Sequence, residues 1–562
     1  MSDATDAYTS DRATKSWTLD VVLLGLLTAA LGFLCFQSSP IFDELYHVLA
    51  ARSWVQDGSL AIANGSYTRA KLFTEVLGEL FGVLGDESLQ TAKILPLIGA
   101  VLLTIAMYCW VRAVFGRAAA LCAVLLFVLS PGALYISQFV RFYSWHALAV
   151  WVFVTCFYSG LVGGHGPFVR GLLALLGVVA WAIALHLQPT TMIATAGFGL
   201  WVFVMWGPSL LVWIARLPRG GWILLGLALL VILLVLGTLY VGLLAKVWAL
   251  LRHASPWQDD VRDDILYYHT YFLHNFPAFW ALLPLAWLLA TRRNLAAGLL
   301  CMSVVVVAVV LHSLGAAKNY RYIHYIMPFF FVLWGVTLVE VVPAIYRAVE
   351  RAATAYGARI PTQRDLRKPL TFCTLALTVL FLLVANSAYI DSALLLLRGD
   401  PRVHWSVQGW QAAAERFRPL IEESDVVATS NGLFALYFLG RYDIDISPSQ
   451  VAESASGEEF GQDIRTGAYA ISTPESMAKV MACFGSGFFI SDSLWRWRDP
   501  DVGVSDEMAA FLETHAEDID LPKDWMLRAY RWQRPEEAPP PESCPNLPGL
   551  GSGKAATGVG QD

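Results

Sequence analysis

The sequence predicts a mainly α-helical, polytopic membrane helix bundle followed by a C-terminal extracytoplasmic α/β domain. Of the 562 residues, 56% are hydrophobic and only 15% are charged, which a soluble protein could not accommodate. The apolar residues lie in runs of roughly twenty, the length that spans a hydrocarbon core of about 30 Å as a helix. After about residue 390, short strand-like and helical segments alternate, which is typical of a small α/β sheet domain.

Hydropathy along the chain predicts about eleven membrane spans. Arginine-rich loops alternate with less basic ones, and the positive-inside rule places the arginine-rich loops in the cytoplasm. The N-terminus is then cytoplasmic, and everything after the last span faces outward. The N-terminal sequence does not resemble a removable signal peptide, so we expect the first span to be an uncleaved anchor. The predicted spans are 17–36, 92–111, 118–136, 142–162, 171–187, 190–206, 222–247, 276–291, 295–314, 324–346 and 369–390.

Four regions follow from these patterns. They are a disordered cytoplasmic N-terminus (1–16), a transmembrane domain (17–390), an extracytoplasmic α/β domain (391–535) and a disordered tail rich in Pro and Gly (536–562). The chain is thus expected to be a multi-pass protein of the cytoplasmic membrane. The formal net charge of -6 and the lack of a basic patch argue against a nucleic-acid partner.

The α/β domain contains strand-like segments such as "DVVATSN", "YDIDIS", "AYAIS" and "GFFISDS", and helical segments such as "TPESMAKVMACF". It has no Gly-rich phosphate loop, no Ser-His-Asp set and no cysteine pair at metal spacing. Its role is therefore interpreted as acceptor docking or structural support. A disulfide between Cys483 and Cys544 is chemically permitted outside the cell, and the sequence leaves that pairing open.

An acidic pair, Asp43 and Glu44, directly follows the first span in "PIFDELYHVLAARSW". If this segment is a helix, His47 shares a face with Asp43. The pair could be ordinary solvated loop residues. Alternatively, an ionisable group in an otherwise apolar helix near the membrane faces a cavity, where desolvation makes a carboxylate a better proton acceptor.

Cationic and aromatic residues gather in three other predicted outer segments. An arginine such as Arg141 could extend toward lipid head groups. Outward-facing positive charge is nevertheless the opposite of what the positive-inside rule expects, and Arg and Lys beside aromatic rings suit a lipid-linked phosphate. The candidates are Arg141, Tyr143 and His146 in "RFYSWH", Lys318, Arg321 and Tyr322 in "KNYRYIH", and Tyr67, Arg69 and Lys71 in "SYTRAK".

These motifs, in this order and topology, resemble the C-type glycosyltransferase (GT-C) superfamily. They are "FDELYH" after span one, "SYTRAKLFT" in the first outer loop, "SQFVRFYS" before span four and "NYRYIHYIMP" before span ten. The resemblance is to the branch of protein O-mannosyltransferases and lipid A aminoarabinose transferases, and it covers most of the transmembrane domain. It implies a membrane glycosyltransferase whose donor is a sugar linked through phosphate to a polyprenol.

The resemblance also implies residue roles. Asp43 corresponds to the catalytic carboxylate, with Glu44 completing the pair, and Arg141, Lys318 and Arg321 correspond to basic residues of the family. "TRAKL" replaces the Lys-Pro-Pro stretch of the aminoarabinose branch, so the roles of Arg69 and Lys71 stay open. The second outer loop, "PGALYISQFVR", lacks the acidic metal ligands of oligosaccharyltransferases, which implies a metal-independent enzyme without cofactors.

The expected reaction is an inverting sugar transfer on the extracytoplasmic face to a protein, glycan or lipid acceptor. Remaining pocket candidates are His47, Tyr67, Tyr143, His146 and Tyr322. The alternative is a polytopic lipid or solute transporter or flippase, for which charges along the bilayer midplane are expected. Neither the sugar nor the acceptor follows from the sequence.

Overall fold

A computed structural model of the chain describes residues 2–36, 39–215, 259–357, 367–398, 404–453, 459–463, 465–493, 496–500 and 503–534. The chain divides into two compact units. The membrane unit contains Met1–Phe36 and Lys93–Gly399, and the α/β unit contains Gln37–Ala92 and Asp400–Asp562. Residues 37–92, which the sequence analysis assigns to the transmembrane domain, therefore fold with the C-terminal region.

The helices of the membrane unit confirm the prediction of a multi-pass membrane protein. Among the described residues, seven helices are long and apolar enough to cross a membrane, and an eighth results if one bent helix pair counts as a single span. The predicted span 222–247 lies outside the described residues, as do Cys544 and the predicted disordered tail. The seven are Trp17–Leu34, Leu89–Phe115, Tyr143–Val162, Pro167–Leu187, Thr191–Ser209, Leu295–Leu314 and Tyr320–Arg351.

Three predicted spans are broken in the structure. The span expected at 118–136 is a helix pair bent by 67°, because Pro131 lacks a backbone N–H and starts a new helix. The span expected at 276–291 is divided between Pro277–Ala281 and Leu283–Arg293. The span expected at 369–390 is divided between Arg367–Val384 and Ser387–Arg398.

The first helix is longer than expected. It runs from Ser2 to Leu34, so it includes the residues for which the sequence predicts disorder. Those residues contain no Gly or Pro, and a helix nucleated in the apolar segment can extend through them at little cost. Within residues 2–36 and 39–215, the helices are α1 (Ser2–Leu34), α2 (Phe42–Asp57), α3 (Lys71–Leu84), α4 (Leu89–Phe115), α5 (Arg117–Val128), α6 (Pro131–Gln138), α7 (Tyr143–Val162), α8 (Pro167–Leu187) and α9 (Thr191–Ala215).

Small residues let the helices of the membrane unit approach closely. The helix Met327–Gly357 packs against α5, and a Cβ placed on Gly335 would lie 2.6 Å from the Cβ of Ala123. Phe329, Phe330 and Phe331 follow one another in this helix and are fully buried. Close packing at small residues is the usual basis of helix association in membranes. Further helices of this unit are Asp259–Arg262, Tyr267–Asn275 and Leu295–Leu314, and a 3₁₀ turn spans Tyr320–Ile326.

One buried ion-pair cluster joins α1 to α4 and α5. The Asp20 carboxylate accepts hydrogen bonds from Arg117 at 2.7 Å and from Arg112 at 3.0 Å, and also from the hydroxyl of Tyr108. The Arg112 guanidinium lies over the Trp17 ring. Asp20 is buried, and these contacts compensate for the loss of its hydration.

The α/β unit contains the predicted mixed sheet. Among its described residues, seven strands lie in the order β5-β6-β4-β3-β7-β9-β8. Strands β6, β4, β3 and β7 are parallel, whereas β5, β9 and β8 pair antiparallel with their neighbours. The strands are β3 (Val426–Thr429), β4 (Ile444–Ile446), β5 (Gly461–Gln462), β6 (Tyr469–Ile471), β7 (Ser486–Asp492), β8 (Glu517–Asp518) and β9 (Leu527–Gln533). The helices that accompany them are His404–Glu423, Gly432–Phe434, Pro448–Glu453, Pro474–Cys483 and Asp506–His515. A π-helical turn spans Ala435–Leu439, and a 3₁₀ turn spans Lys523–Trp525.

Residues of the segment that follows α1, the predicted first outer loop, pack directly on this domain. They form α2, a short hairpin of β1 (Ala61–Ile62) and β2 (Gly65–Ser66), and α3. The hairpin turn approaches the loop before β6 so closely that a Cβ on Gly65 would lie 2.4 Å from the Arg465 carbonyl oxygen. The Asn64 N–H donates to the carbonyl of Thr466 at 2.9 Å, and the Phe42 ring stacks on Phe434. Helix α2 is therefore part of the α/β unit.

Candidate active site

The acidic pair of the sequence analysis lies in the first turn of α2, as predicted. Ile41, which precedes the helix, has extended backbone geometry, and Gly58 ends the helix with a positive φ of 68°. Carboxylates in this turn interact favourably with the partial positive charge of a helix N-terminus. Asp43 is partly exposed, whereas Glu44 is fully buried.

The two carboxylates differ in their contacts. The Glu44 Oε2 accepts the backbone N–H of Ile41 at 2.8 Å, which is half of a capping box. One oxygen of Glu44 is thus committed to starting the helix. Asp43 follows Phe42 in the first turn and is partly exposed, whereas the residues directly after it are buried. Of the pair, Asp43 is the more exposed.

His47 connects α2 to α3 and to Tyr67 in the structure. It is fully buried, its Nδ1 lies 2.8 Å from the Thr74 hydroxyl of α3, and its Nε2 lies 3.3 Å from the Tyr67 hydroxyl. The Tyr67 ring in turn stacks on Tyr46 of α2, one helical turn after Phe42. This network joins α2 to α3 and to the segment after the hairpin. The pocket candidates His47 and Tyr67 therefore determine where the first turn of α2 lies.

The basic candidates of the first outer loop are at the surface of the α/β unit. Arg69 and Lys71 are both exposed. The Lys71 Nζ lies 3.4 Å from Glu75 Oε1, one turn further along α3. An exposed cation paired within its own helix contributes little to the stability of a protein or to binding of a desolvated phosphate. These positions give no support to the phosphate-binding role that the sequence left open for Arg69 and Lys71.

Arg141 lies in the bend between α6 and α7 of the membrane unit. Its side chain is only 2% exposed, and its guanidinium lies 5.8 Å from the centre of the Phe142 ring. This burial does not fit a side chain that extends along the protein surface to lipid head groups. Tyr143 begins α7 and is also buried; among the described residues its hydroxyl has no hydrogen-bond partner.

In the membrane unit, the predicted group that contains Arg321 lies against the predicted group that contains Arg141. Arg321 lies in the 3₁₀ turn, with its guanidinium 5.3 Å from the centre of the Phe139 ring. The same Phe139 ring stacks on Tyr143, and Tyr143 contacts Tyr322. Residues about 140 and 320 in the chain thus share one aromatic wall. We call the rings of Phe139, Tyr143 and Tyr322, together with Arg141 and Arg321, the cationic wall.

Lys318 lies just before this turn and is also buried. Its Nζ donates to the carbonyl oxygens of Gly315 and Arg262. Burial lowers the pKa of Lys318, while the carboxylates of Asp264 and Asp263 act in the opposite direction. A partly desolvated ammonium group held by two carbonyls is a fixed point charge, which suits binding of an anion.

A network of histidines lies behind the cationic wall. His146 Nε2 is 2.9 Å from the Thr191 hydroxyl, and its ring contacts Tyr325. His312 Nε2 lies 3.2 Å from the Tyr325 hydroxyl. These buried contacts connect α7 and the helix Leu295–Leu314 to the turn that carries Arg321. His146, a predicted pocket residue, therefore supports this turn from inside the bundle.

Sequence reasoning missed Lys93, the first residue of the second segment of the membrane unit. It is 1% exposed, and its ammonium group lies 5.9 Å from the centre of the Phe36 ring. A lone lysine in the apolar run "TAKILPLIGAV" was the available signal, because a charged residue inside such a run is expensive unless it has a function or partners.

Comparison with solved structures shows the fold. The chain is similar to ArnT from Cupriavidus metallidurans in the apo state, with 14% identity, a TM-score of 0.57 and coverage of 92% of this chain and 98% of that chain. It matches the same protein bound to undecaprenyl phosphate with 13% identity, a TM-score of 0.58 and the same coverage. An apo oligosaccharyltransferase from Archaeoglobus fulgidus matches with 15% identity, a TM-score of 0.52 and coverage of 90% and 73%.

No protein-family model and no curated protein matches the sequence. The structural likeness nevertheless covers both units over about nine tenths of the chain. The GT-C fold that the sequence motifs predict is therefore confirmed: this is a multi-pass membrane protein with the fold of the C-type membrane glycosyltransferases.

Proposed function

We propose that this protein transfers a sugar from a polyprenyl-phosphate donor to a hydroxyl group of an acceptor. The observation that carries the proposal is the cationic wall: Arg141 and Arg321 lie against one connected set of aromatic rings in the membrane unit, and Arg141 is buried there. Cations in such surroundings mark binding sites for anions. A lipid-linked phosphate supplies both the anion and the apolar chain.

The solved ArnT structure with bound undecaprenyl phosphate supports this donor class. That structure has the same fold, and its ligand is a polyprenol bearing a phosphate. In this chain, Arg141, Lys318 and Arg321 are the proposed phosphate ligands, and the buried Lys93 is added to them. Tyr143 and Tyr322 line the same wall and are proposed to contact the sugar or the phosphate.

The proposed reaction is one displacement at the anomeric carbon. The acceptor oxygen forms a bond to that carbon, the bond from the carbon to the phosphate oxygen breaks, and its electron pair leaves with the phosphate. The acceptor proton passes to the Asp43 carboxylate, and the anomeric centre is inverted. Fixed cations stabilise the negative charge that develops on the departing phosphate; loss of one such donor typically costs about 100-fold or more in turnover.

Donor turnover by the purified chain tests the proposal. The protein, in detergent, is incubated with polyprenyl-phosphate sugars and with hydroxyl-bearing protein, glycan or lipid acceptors, and release of polyprenyl phosphate is measured. We expect turnover by the natural sequence and a loss of about 100-fold in Arg141→Ala. Arg170→Ala is the matched control, because Arg170 is exposed at the start of α8. The alternative, a transporter, would move lipid across a vesicle membrane without consuming the donor.

A further inference from the structure

The carboxyl edge of the parallel sheet has the topology of a ligand site. From β3 the chain proceeds outward through β4 to β6, and then returns to form β7 on the opposite side of β3. The strand order reverses between β3 and β7. In open α/β sheets, ligands bind outside the carboxyl ends of strands at such a reversal.

Polar residues gather at this edge. Thr429 ends β3 directly opposite Asp445 of β4, and the next residues along the chain, Ser430 and Asn431, are buried. The Ser430 and Ser491 hydroxyls lie 2.6 Å apart and join the ends of β3 and β7. A side-chain hydrogen bond thus adds to the backbone ladder between these two strands at the reversal.

Two oxygens at this edge have no hydrogen-bond partner in the part of the chain that the structure describes. The Oδ1 atoms of Asp445 and Asn431 are both buried, and neither has a hydrogen-bond partner among the described residues. Asn431 as a whole is only 6% exposed. A buried oxygen without a partner reduces the stability of a protein, and native proteins contain few of them. A bound ligand that supplies donors is a physical reason for keeping both.

Two arginines connect this edge to α2. The Arg496 guanidinium lies 5.2 Å from the centre of the Phe42 ring, and that of Arg465 lies 5.2 Å from the centre of the Tyr46 ring. Phe42 and Tyr46 bracket Asp43 along α2. Burial raises the pKa of Asp445 to about 7, and the charges of Arg496, Asp463 and Arg465 all act on its carboxyl group. Asp445 thus belongs to the surroundings of the first turn of α2.

We propose that this carboxyl edge binds a sugar residue of the acceptor, with Asp445 and Asn431 as hydrogen-bonding groups and Arg465 and Arg496 as flanking donors. The inference rests on the proposed glycosyl transfer and places its acceptor on the α/β unit. A sugar hydroxyl both donates and accepts; the carboxyl and amide oxygens accept from it, and the guanidinium groups donate to it. The acceptor hydroxyl that reacts is the one directed to Asp43.

A peptide acceptor fits these observations less well. Extended peptides add to an exposed sheet edge, where backbone groups provide the hydrogen bonds. Here the edge strands are β5 and β8, whereas the oxygens without partners are side-chain atoms at the carboxyl ends of inner strands. The unmet hydrogen bonds therefore favour a small polyhydroxyl group.

Sugar binding by the full chain tests the inference without requiring catalysis. Glucose, mannose, galactose and N-acetylglucosamine are added separately to the purified protein in detergent, and saturation-transfer NMR measures their binding. We expect at least one to bind, with affinity reduced about tenfold in Asp445→Asn and in Asn431→Ala, the loss expected for a hydrogen bond to a buried partner. Asp443→Asn is the matched control; Asp443 precedes β4 at its amino end and pairs with Arg441.

Each outcome decides the inference. Weakened binding in both edge variants, with normal binding in the control, supports it. Equal binding in Asp445→Asn and Asp443→Asn overturns it, as does a natural chain that binds no sugar while a short Ser-containing peptide binds. Donor turnover is measured in parallel: a chain that binds sugar at this edge but consumes no polyprenyl-phosphate sugar retains the subsite and refutes the proposed function instead.

Discussion

The membrane unit and the α/β unit differ in the ionisable side chains that they bury. Among the described residues, the lysines and arginines that are fully buried are Lys93, Arg141 and Lys318, and all three belong to the membrane unit. The α/β unit buries the carboxylates of Glu44, Asp463 and Asp492. Asp20 is a buried carboxylate of the membrane unit, and it is paired with Arg117 and Arg112.

We propose that the two units have different chemical roles. A departing phosphate needs fixed positive charge, and an acceptor hydroxyl needs a group that takes its proton. Under the proposed function, the membrane unit provides the first and the α/β unit the second. The comparison leads to the tests that follow, in order of decreasing effect.

The largest effect is expected from removing one group in each unit. Asp43→Asn and Arg141→Ala are each expected to lower turnover by about 100-fold or more, because each removes an interaction that is strongest in the transition state. If both groups act on the same reaction step, the double variant loses less than the product of the two single losses. Donor turnover measures all three variants. If the loss in the double variant equals the product of the two single losses, Asp43 and Arg141 act independently of each other.

The ion-pair cluster of the membrane unit is expected to be structural. Asp20→Ala leaves the partly buried Arg112 without its carboxylate, so the free energy of unfolding should fall by on the order of 2 kcal/mol. Thermal unfolding in detergent measures the loss. The matched variant Arg498→Ala disrupts exposed ion pairs of the α/β unit and should change stability by less than about 1 kcal/mol. Equal losses of stability in Asp20→Ala and Arg498→Ala would contradict the expected difference between buried and exposed ion pairs.

Asp445 is expected to reduce stability at alkaline pH. Burial raises its pKa to about 7, so between about pH 4 and pH 7 the folded chain binds a proton that the unfolded chain has released. Stability therefore falls as the pH rises through this window, and the full cost is present above it. Asp445→Asn should raise the melting temperature at pH 8 and leave it unchanged near pH 4. A gain of the same size at both values would show that ionisation is not the cause.

A smaller effect is expected at the contact that positions α2. Thr74→Val keeps the shape of the side chain but removes the hydroxyl beside His47 Nδ1, which should cost about 1 kcal/mol. Because Asp43 lies one turn from His47, we expect a several-fold decrease in kcat and an unchanged donor KM. Rescue by Thr74→Ser would connect the loss to the hydroxyl. A raised donor KM would instead place this contact in donor binding.

The smallest effect is expected at the exposed cations of the α/β unit. Arg69→Ala and Lys71→Ala should leave donor turnover and melting temperature almost unchanged, since both side chains are exposed and surface substitutions rarely exceed about 0.5 kcal/mol. The comparison with Arg141→Ala then separates exposed from buried cations. A large loss at either position would restore the phosphate role that the sequence resemblance left open.

Local patterns of the sequence predicted most of the elements. The apolar runs led to the spans, and segments such as "DVVATSN" and "GFFISDS" led to strands β3 and β7. The broken spans were missed because Pro131 and Asn386 lie within apolar runs, where hydropathy averages hide them. Asn386 Oδ1 accepts the backbone N–H of Phe279, a contact 107 residues distant that no window of sequence contains.

The candidate site was only partly predictable. Asp43, Arg141 and Arg321 stand out in the sequence because charges are rare beside apolar runs. Glu44 looks like an equal partner of Asp43, and its capping contact with Ile41 became visible only in the folded helix. Asp445 sits in an ordinary strand pattern, "YDIDIS", so nothing local marks its buried oxygen.

Composition and hydropathy by themselves determined that this chain crosses a membrane many times and ends in an α/β domain, because a bilayer and a pleated sheet each impose a short-range period on the sequence. Tertiary structure decided that residues 37–92 fold with the C-terminal sheet, that Arg141 and Arg321 share one wall, and which carboxylate is committed to a cap. Burial and hydrogen bonding depend on neighbours that are distant in the chain. Their energies are therefore absent from any local pattern.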